Sequence, residues 1–285
     1  MSLVTRIRWA EVVQKAAQVA LGYGGDVTLR QVYYRLTMAG VIPHTASSYK
    51  HLSARVAAAR REERFPDLVD TVRRVHVPPA WQDATEMIIQ VPSWFRLDRT
   101  RGQQTALYVA VEKDTLRAQF TRWLDEFGIP VIVVRGYGSQ SYVQVVAERT
   151  ARDPRPAHLL YVGDFDCSGE DIERDFLART ACWASVERVL LTDEQRLAYG
   201  LLPTAGKKDD PRWPAFAAKY DFDPARPVQW EVEALDRNDL HALLMAAIEP
   251  YVDHDVLATV LADEHRQRQR LERFVDRWLK SPAGP

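Results

Sequence analysis

Hydrophobic residues in the last two-thirds of the chain alternate between short continuous runs and stretches with helical spacing. The continuous runs cover residues 106–111, 130–134, 159–162 and 186–191. Helical spacing is found at 115–127, at 141–150 and from 168 to 179. Strands that alternate with helices in this order are typical of a parallel sheet covered by helices on both faces. The pattern predicts a Rossmann-like α/β fold, in which ligands bind beyond the carboxyl ends of the strands.

The chain after this sheet is predicted to form one short strand and two helices. Residues 230–234 alternate as a strand does, and residues 237–249 and 253–279 have helical spacing. The stretch 263–270 has no apolar residue, which indicates a solvated face in the middle of the last helix.

The first part of the chain has the pattern of short helices joined by a tight turn. Thr28 and Gln31 form a capping-box pattern at the start of one helix, and a turn follows at 40–43. A second helix, about 48–62, has a buried apolar stripe of Leu52, Val56 and Ala59. Its basic residues outside the stripe are Lys50, His51, Arg55 and Arg61. Together with Arg35 of the preceding helix, these are the residues that we expect to bind DNA. This arrangement is typical of a winged-helix or helix-turn-helix DNA-binding domain, and an ordinary helical bundle fits it equally well.

Proline and polar residues at 77–79 and 99–104 indicate linkers. We therefore predict a DNA-binding domain at 1–78, a connector at 79–105, an α/β domain at 106–250 and a C-terminal helix at 251–285. Up to Gln104 the chain has 15 Lys and Arg against 9 Asp and Glu, whereas the remainder has 23 against 30. A basic domain joined to an acidic one is consistent with polyanion binding coupled to a carboxylate-rich site.

Composition also narrows the class of protein. Hydrophobic residues make up 46% of the chain, which is enough for packed cores. The two cysteines, Cys167 and Cys182, have neither CxxC spacing nor a neighbouring histidine cluster, so neither zinc nor a disulfide framework is predicted. No stretch approaches the roughly 20 apolar residues of a membrane span, and a signal-peptide core is absent. We expect a cytoplasmic protein without a membrane partner.

Three acidic residues follow the predicted strands and are expected at one edge of the sheet. Glu112 follows the first strand, whereas Asp164 and Asp166 follow the third and would point to the same side of an extended chain. Ser168 and Asp171 have capping-box spacing for the next helix. Oxygen ligands without His or Cys favour Mg²⁺ or Mn²⁺. The sequence predicts such a metal site; the alternative is that Asp-x-Asp is only a helix-capping loop.

The run Glu112-Lys113-Asp114 followed by Asp164-Phe165-Asp166 resembles the signature of a Toprim domain. That domain is the magnesium-dependent catalytic unit of topoisomerases, bacterial primases and some nucleases. The resemblance covers roughly residues 106–250 and departs from many relatives at Cys167, where they have proline. Lys113 could add a positive charge beside the metal.

A predicted winged helix followed by a Toprim domain is similar to the A subunit of topoisomerase VI and the related meiotic double-strand-break protein. In that family a tyrosine of the winged helix attacks a DNA phosphodiester, and Tyr34 matches its position. Helical spacing places Tyr33 on the apolar stripe of its helix and Tyr34 off it, four residues after Arg30. A phenol has a pKa of about 10, so attack needs a base or positive charge, which Arg30, Arg35 and the metal could supply. Alternatively, Tyr34 only packs or binds phosphate.

Two further positions are candidates for accessory roles. Glu233 matches a Glu-x-Glu-Ala-Leu stretch of the same family, where its role would be structural or metal-linked. Lys208 lies in a polar loop that could contact the phosphate backbone, although a solvated surface is as good an interpretation.

The resemblance implies a magnesium-dependent protein that binds double-stranded DNA and cleaves it as topoisomerase VI A does, through Tyr34. In that family the tyrosine acts with the metal site of the partner subunit, which implies a homodimer, and strand passage would require a separate ATPase partner. One alternative is a hydrolytic Toprim nuclease that uses metal-activated water. Another is a non-catalytic DNA-binding or regulatory module of a mobile-element or defence system.

Overall fold

The computed structural model of the chain describes residues 7–23, 27–68 and 77–280. Its first part contains the helices α1 (Trp9–Gly22), α2 (Leu29–Met38) and α3 (Ala46–Arg61). Thr28 caps α2, since its side chain accepts the Gln31 N–H and the Gln31 side chain accepts the Thr28 N–H. The predicted capping box is therefore confirmed.

The three N-terminal helices bury the side chains that their apolar spacing selects. Leu52, Val56 and Ala59 of α3 are buried, as predicted. Residues 7–23 and 27–68 contain no strand, so the described part of this region consists of helices joined by loops. The buried side chains of these helices form one continuous cluster with those on one face of the central sheet. The amide of Gln31 in α2 also donates to the Gln119 side chain at 3.1 Å, within the interior.

The predicted connector contains a helix, α4 (Ala84–Trp94), which begins after the N-cap Asp83 and packs on the last helix of the chain. The segment that follows α4 is fixed by Glu264, a buried residue of that last helix. The Glu264 carboxylate accepts the Leu97 N–H at 3.0 Å and pairs with Arg99 at 2.9 Å. This segment is thus anchored to the body of the protein by a buried ionic contact.

The central sheet is parallel and lies between two layers of helices. Its elements in chain order are β1 (Ala106–Val111), α5 (Asp114–Leu124), β2 (Val131–Val133), α6 (Gln140–Ala151), β3 (Ala157–Val162), α7 (Cys167–Thr180) and β4 (Ser185–Leu190). The strand order is β2-β1-β3-β4. In β1, Leu107 and Val109 belong to one hydrophobic cluster and Tyr108 and Ala110 to another, so alternate side chains enter cores on opposite faces. The predicted α/β fold with a parallel sheet is confirmed.

The remaining elements are α8 (Asp193–Ala198), β5 (Thr204–Ala205), α9 (Trp213–Tyr220), β6 (Val228–Gln229), α10 (Arg237–Ile248) and α11 (His254–Leu279). Strands β5 and β6 pair antiparallel. The strand predicted at 230–234 is wrong, because β6 ends at Gln229, Trp230 forms an isolated bridge with Phe165, and Val232–Ala234 is a 3-10 helix. The Val232 N–H donates to the Asp164 carboxylate at 2.9 Å and therefore has no strand partner. No helix within the described ranges combines the length and apolar character needed to cross a bilayer.

Candidate functional site at the carboxyl edge of the sheet

Glu112, Asp164 and Asp166 follow the neighbouring strands β1 and β3, and the predicted convergence of Glu112 with the Asp164 segment is observed. The Asp164 N–H donates to Glu112 Oε2 at 3.0 Å. Two glycines allow this approach, since a Cβ on Gly163 would lie 2.8 Å from Glu112 Oε2 and a Cβ on Gly169 would lie 3.2 Å from it. The Glu112 carboxylate can therefore lie against the chain that follows β3, because neither glycine has a side chain there.

The two carboxylates of the Asp-x-Asp run have different partners. Asp164 Oδ1 accepts the Val232 N–H, and Asp164 Oδ2 lies 2.7 Å from the Lys113 ammonium. Asp166 is the N-cap of α7 and accepts the Gly169 N–H at 2.6 Å. Strand β3 ends at Val162, and beyond it Asp164 and Asp166 have no hydrogen-bond partner in common among the described residues.

The predicted capping box of Ser168 and Asp171 is wrong because α7 begins earlier, at Cys167. The Ser168 hydroxyl instead accepts from Arg212 at 2.9 Å, and the Asp171 carboxylate accepts the hydroxyl of Tyr137. Both residues therefore bind the loops that surround the sheet edge.

Burial makes the carboxyl groups of Glu112 and Asp164 hard to ionise. The pKa of Glu112 is raised to about 7 by burial and by the nearby Asp164 carboxylate. The pKa of Asp164 is raised to about 6, chiefly by burial, although the Lys113 ammonium opposes this shift. A cation placed beside them would offset this cost, because opposite charge favours the ionised form.

Glu112 and Asp166 line the same cavity, whose volume is about 240 Å³. Ser168, Lys207 and Asp210 also line it, whereas Lys208 is exposed on the adjoining loop. Oxygen donors of this kind suit Mg²⁺ or Mn²⁺, and Mg²⁺ commonly combines one or two carboxylates with water and substrate phosphate. Within the described ranges, no group of three or more His, Cys, Asp or Glu residues is arranged to hold a metal ion by itself. A metal ion bound at Glu112 and Asp166 would therefore need further ligands from water or phosphate.

Lys113 lies at the centre of a second cluster, which we call the lysine cluster: Lys113, Asp164, Glu231, Glu233 and Arg30. The Lys113 ammonium is 2.8 Å from Glu231 Oε2 and 3.6 Å from Glu233 Oε2. Arg30 of α2 donates to both Glu231 oxygens, from Nη2 to Oε1 at 2.5 Å and from Nε to Oε2 at 3.1 Å. This cluster joins the N-terminal helices to the sheet edge through charge-assisted contacts.

Glu231 is the residue of this cluster that sequence reasoning missed. Burial alone would raise its pKa, but the Lys113 charge and the Arg30 hydrogen bonds prevail and lower it to about 2. The signal that could have identified it is its position two residues before Glu233, in the same Glu-x-Glu stretch.

Glu233 itself is fully buried, with 0% of its side chain exposed. Neither of its carboxylate oxygens has a hydrogen-bond partner in the described structure, although Arg30 Nε lies 3.9 Å away. A buried carboxylate that only approaches two cations is costly. Its proximity to Lys113 places it near the sheet edge.

Tyr34 lies beside Arg30, as predicted, and its hydroxyl accepts the Arg30 Nε–H at 3.3 Å. The prediction that Tyr34 would be freer than Tyr33 is wrong, since both are buried, with 3% and 5% exposed. Helix α2 contacts the 232–234 turn as well as α1 and α3. These contacts cover more of its surface than the apolar stripe alone. Burial raises the pKa of Tyr34, the negative charge of Glu231 adds to the effect, and Arg30 opposes it.

The residues predicted to bind DNA divide into two groups. Those of α3 are exposed, namely Lys50, His51, Arg55 and Arg61. Within this group, the rings of His51 and Trp9 lie 5.6 Å apart, and the Arg55 guanidinium lies over Trp9 at 5.4 Å. Arg35 instead forms an ion pair with Asp236 at 3.0 Å. The basic face of α3 is therefore accessible, whereas Arg35 links α2 to the start of α10.

No protein-family model matches the chain, and no curated protein shows significant similarity to it in sequence.

Proposed function

We propose that the chain binds double-stranded DNA and cleaves its backbone in a magnesium-dependent reaction that uses Tyr34. One observation carries this proposal: within a single chain, Arg30 and Glu231 connect the Tyr34 hydroxyl to Lys113 and Asp164 at the carboxyl edge of the sheet. Ligands of parallel α/β sheets bind at this edge. A tyrosine, two cations and several carboxylates beside it are the groups that phosphoryl transfer requires.

In the proposed reaction the Tyr34 oxygen attacks the phosphorus of a DNA phosphodiester. A bond forms between the phenolic oxygen and phosphorus, and the bond between phosphorus and one sugar oxygen breaks. The phenol loses its proton to solvent as it attacks, and the leaving sugar oxygen takes up a proton. Arg30 would hold the non-bridging oxygens, because its guanidinium already contacts the Tyr34 hydroxyl. The product is a phosphotyrosine link between the protein and one DNA end.

The metal would be held at the sheet edge by Glu112 and Asp166, with Asp164 joining them once Lys113 releases it. Bound Mg²⁺ would supply charge neutralisation on the phosphate. Glu112 and Asp166 share one cavity, which supports their role directly. The support for Asp164 as a ligand is less direct, because its Oδ2 is already paired with the Lys113 ammonium.

The assignment to Toprim and winged-helix domains, and to the topoisomerase VI A family, belongs to this proposal and rests on the sequence resemblance. A homodimer and a separate ATPase partner are part of it for the same reason. The exposed basic face of α3 is the surface that we propose for the DNA duplex.

A second candidate function is hydrolysis of DNA by metal-activated water. The observation that favours it is that Tyr34 does not line the cavity shared by Glu112 and Asp166. The raised pKa of Tyr34 also favours hydrolysis by water, because a protonated phenol is a weak nucleophile. In this case water would attack phosphorus, and both DNA ends would leave free of protein.

Incubation of the protein with supercoiled DNA and Mg²⁺ or Mn²⁺ distinguishes these functions. Tyrosine chemistry yields nicked or linear DNA with protein attached to one end, and Tyr34→Phe abolishes both products. Hydrolysis yields free ends that persist in Tyr34→Phe and disappear in Glu112→Gln. Tyr199→Phe, at a partly exposed tyrosine of the C-terminal region, is the matched control. Absence of cleavage with either metal would contradict both enzymatic proposals and leave a DNA-binding module.

A further inference from the structure

A second cavity, of about 400 Å³, opens beside Tyr34 between the N-terminal helices and β5. We call it the tyrosine pocket, and its wall includes Arg30, Tyr33, Tyr34, His44, Thr45 and Tyr49. Its volume lies in the range of about 300 to 1,000 Å³ that is typical of small-molecule sites. The cavity lined by Glu112 and Asp166, which we call the metal cavity, shares none of these residues. The tyrosine pocket is therefore a separate site.

Four aromatic rings form much of the wall. Tyr33 lies 5.6 Å from Tyr34 and 5.2 Å from Tyr49, and the rings of Tyr34 and His44 are 5.5 Å apart. All three pairs are tilted or edge-on, and none is stacked face to face. A flat aromatic ligand could therefore stack on a ring face, as nucleobases do in proteins that bind single strands.

Polar groups in the wall match a nucleotide better than an apolar ligand. The Arg30 side chain is 48% exposed although Glu231 holds it, so it is positioned and still accessible to an anion. Thr45 is the N-cap of α3, whose 16 residues direct the positive end of their dipole towards the same region. His44 Nδ1 is buried and has no hydrogen-bond partner among the described residues. The accessible Arg30 guanidinium and the N-terminus of α3 are therefore the groups of the wall that favour an anionic ligand.

We propose that the tyrosine pocket binds the base of the nucleotide next to the phosphate that Arg30 contacts. This inference rests on the proposed function for the identity of the ligand, since a DNA-cleaving site needs to hold the strand in a fixed register. The base would leave the duplex stack or come from an already unpaired strand, because aromatic side chains can stack only on an exposed base face. Tyr49 is then a base-binding residue that takes no part in bond breaking.

The test uses thymidine 5′-monophosphate as the probe, with 2-deoxyribose 5-phosphate and inorganic phosphate as base-free comparisons. Saturation-transfer NMR should show contact with the thymine protons, and the base-free compounds should bind at least about tenfold more weakly. Tyr49→Leu should weaken binding of the thymidine nucleotide by about tenfold, whereas Tyr49→Phe retains it. Tyr199→Leu, outside the pocket, serves as the control. Circular dichroism checks that each variant is folded.

A second measurement locates the base even if Tyr49→Leu does not fold. Photocrosslinking of 5-iodo-2′-deoxyuridine 5′-monophosphate to the wild-type protein should label residues of the pocket wall, which lie within 30–49 and at 204–205. Labelling elsewhere, equal binding of base-free compounds, or absence of any base signal at millimolar nucleotide would overturn the proposal. None of these measurements depends on DNA cleavage, so base binding can fail while Tyr34 cleaves DNA, and can succeed while cleavage is absent.

Discussion

Replacement of Glu112 by glutamine separates the cost of burying a carboxylate from the benefit of binding a cation. The pKa of Glu112 is about 7 in the folded protein, against an ordinary value of 4.5. A raised folded-state pKa means that deprotonation destabilises the fold, so the cost is small below pH 4.5 and complete above pH 7. At about 1.4 kcal/mol for each pKa unit, the full cost is about 3 kcal/mol.

Glutamine keeps the acceptor oxygen that receives the Asp164 N–H, so it removes the charge without removing this hydrogen bond. Without metal, we expect Glu112→Gln to match the wild type at pH 4.5 and to be more stable at pH 8 by up to about 3 kcal/mol. Urea denaturation followed by tryptophan fluorescence measures both values. Glu187→Gln, at an exposed carboxylate of β4, should leave the pH dependence unchanged.

Magnesium should remove most of this difference in stability between the two proteins. If the metal cavity binds Mg²⁺, a concentration 100 times the dissociation constant stabilises the wild type by about 2.7 kcal/mol and stabilises Glu112→Gln much less. The same pH dependence of wild type and variant in the absence of metal would show that burial of the Glu112 charge has no such cost. Equal stabilisation of both by Mg²⁺ would refute the assignment of Glu112 as a ligand while leaving the burial argument intact.

Three further outcomes are expected. Glu264→Gln should lower the free energy of unfolding at pH 7 by about 3 kcal/mol. The Arg99 hydrogen bond is the largest cause that holds the Glu264 pKa at about 2, so the deficit in urea denaturation should shrink as the pH falls from 4.5 towards 2. Gly169→Ala should destabilise by about 1 to 3 kcal/mol, because its Cβ would lie 2.5 Å from a backbone carbonyl oxygen. Gly22→Ala, with nothing within 4 Å, should cause no comparable loss in thermal unfolding. If Tyr34 acts with the acids of its own chain, mixtures of Tyr34→Phe and Glu112→Gln proteins stay inactive in the plasmid assay, whereas restored cleavage would indicate action across a dimer.

The order of strands and helices was predictable because it depends on local spacing. Buried parallel strands need continuous apolar runs, and the run at 106–111 forms β1 with the bounds that the pattern indicates. Helix α3 buries the predicted stripe for the same reason, since a period of 3.6 residues selects one face. The convergence of Glu112 with the Asp164 segment followed from parallel topology alone.

The predictions from sequence were wrong where a residue contacts a segment far away in the chain. The run 230–234 alternates as a strand does, yet the Val232 N–H is taken by Asp164, 68 residues away. Tyr34 lies off the apolar stripe of α2, yet it is buried because α2 also contacts the turn at 232–234. Neither contact leaves a periodic signal in the sequence.

By itself, the sequence determined the parallel sheet, the acidic edge and the accessible basic face of α3, because apolar spacing and chain order fix which side chains are buried and where strands end. Only the tertiary structure decided how the charges are paired. In the folded protein Arg30 pairs with Glu231, Lys113 pairs with Asp164, and Glu112 and Asp166 line a shared cavity. Ionic contacts between segments far apart in the chain depend on distances of a few ångströms. The pairing of β1 with β3 and the packing of α2 on the 232–234 turn set those distances.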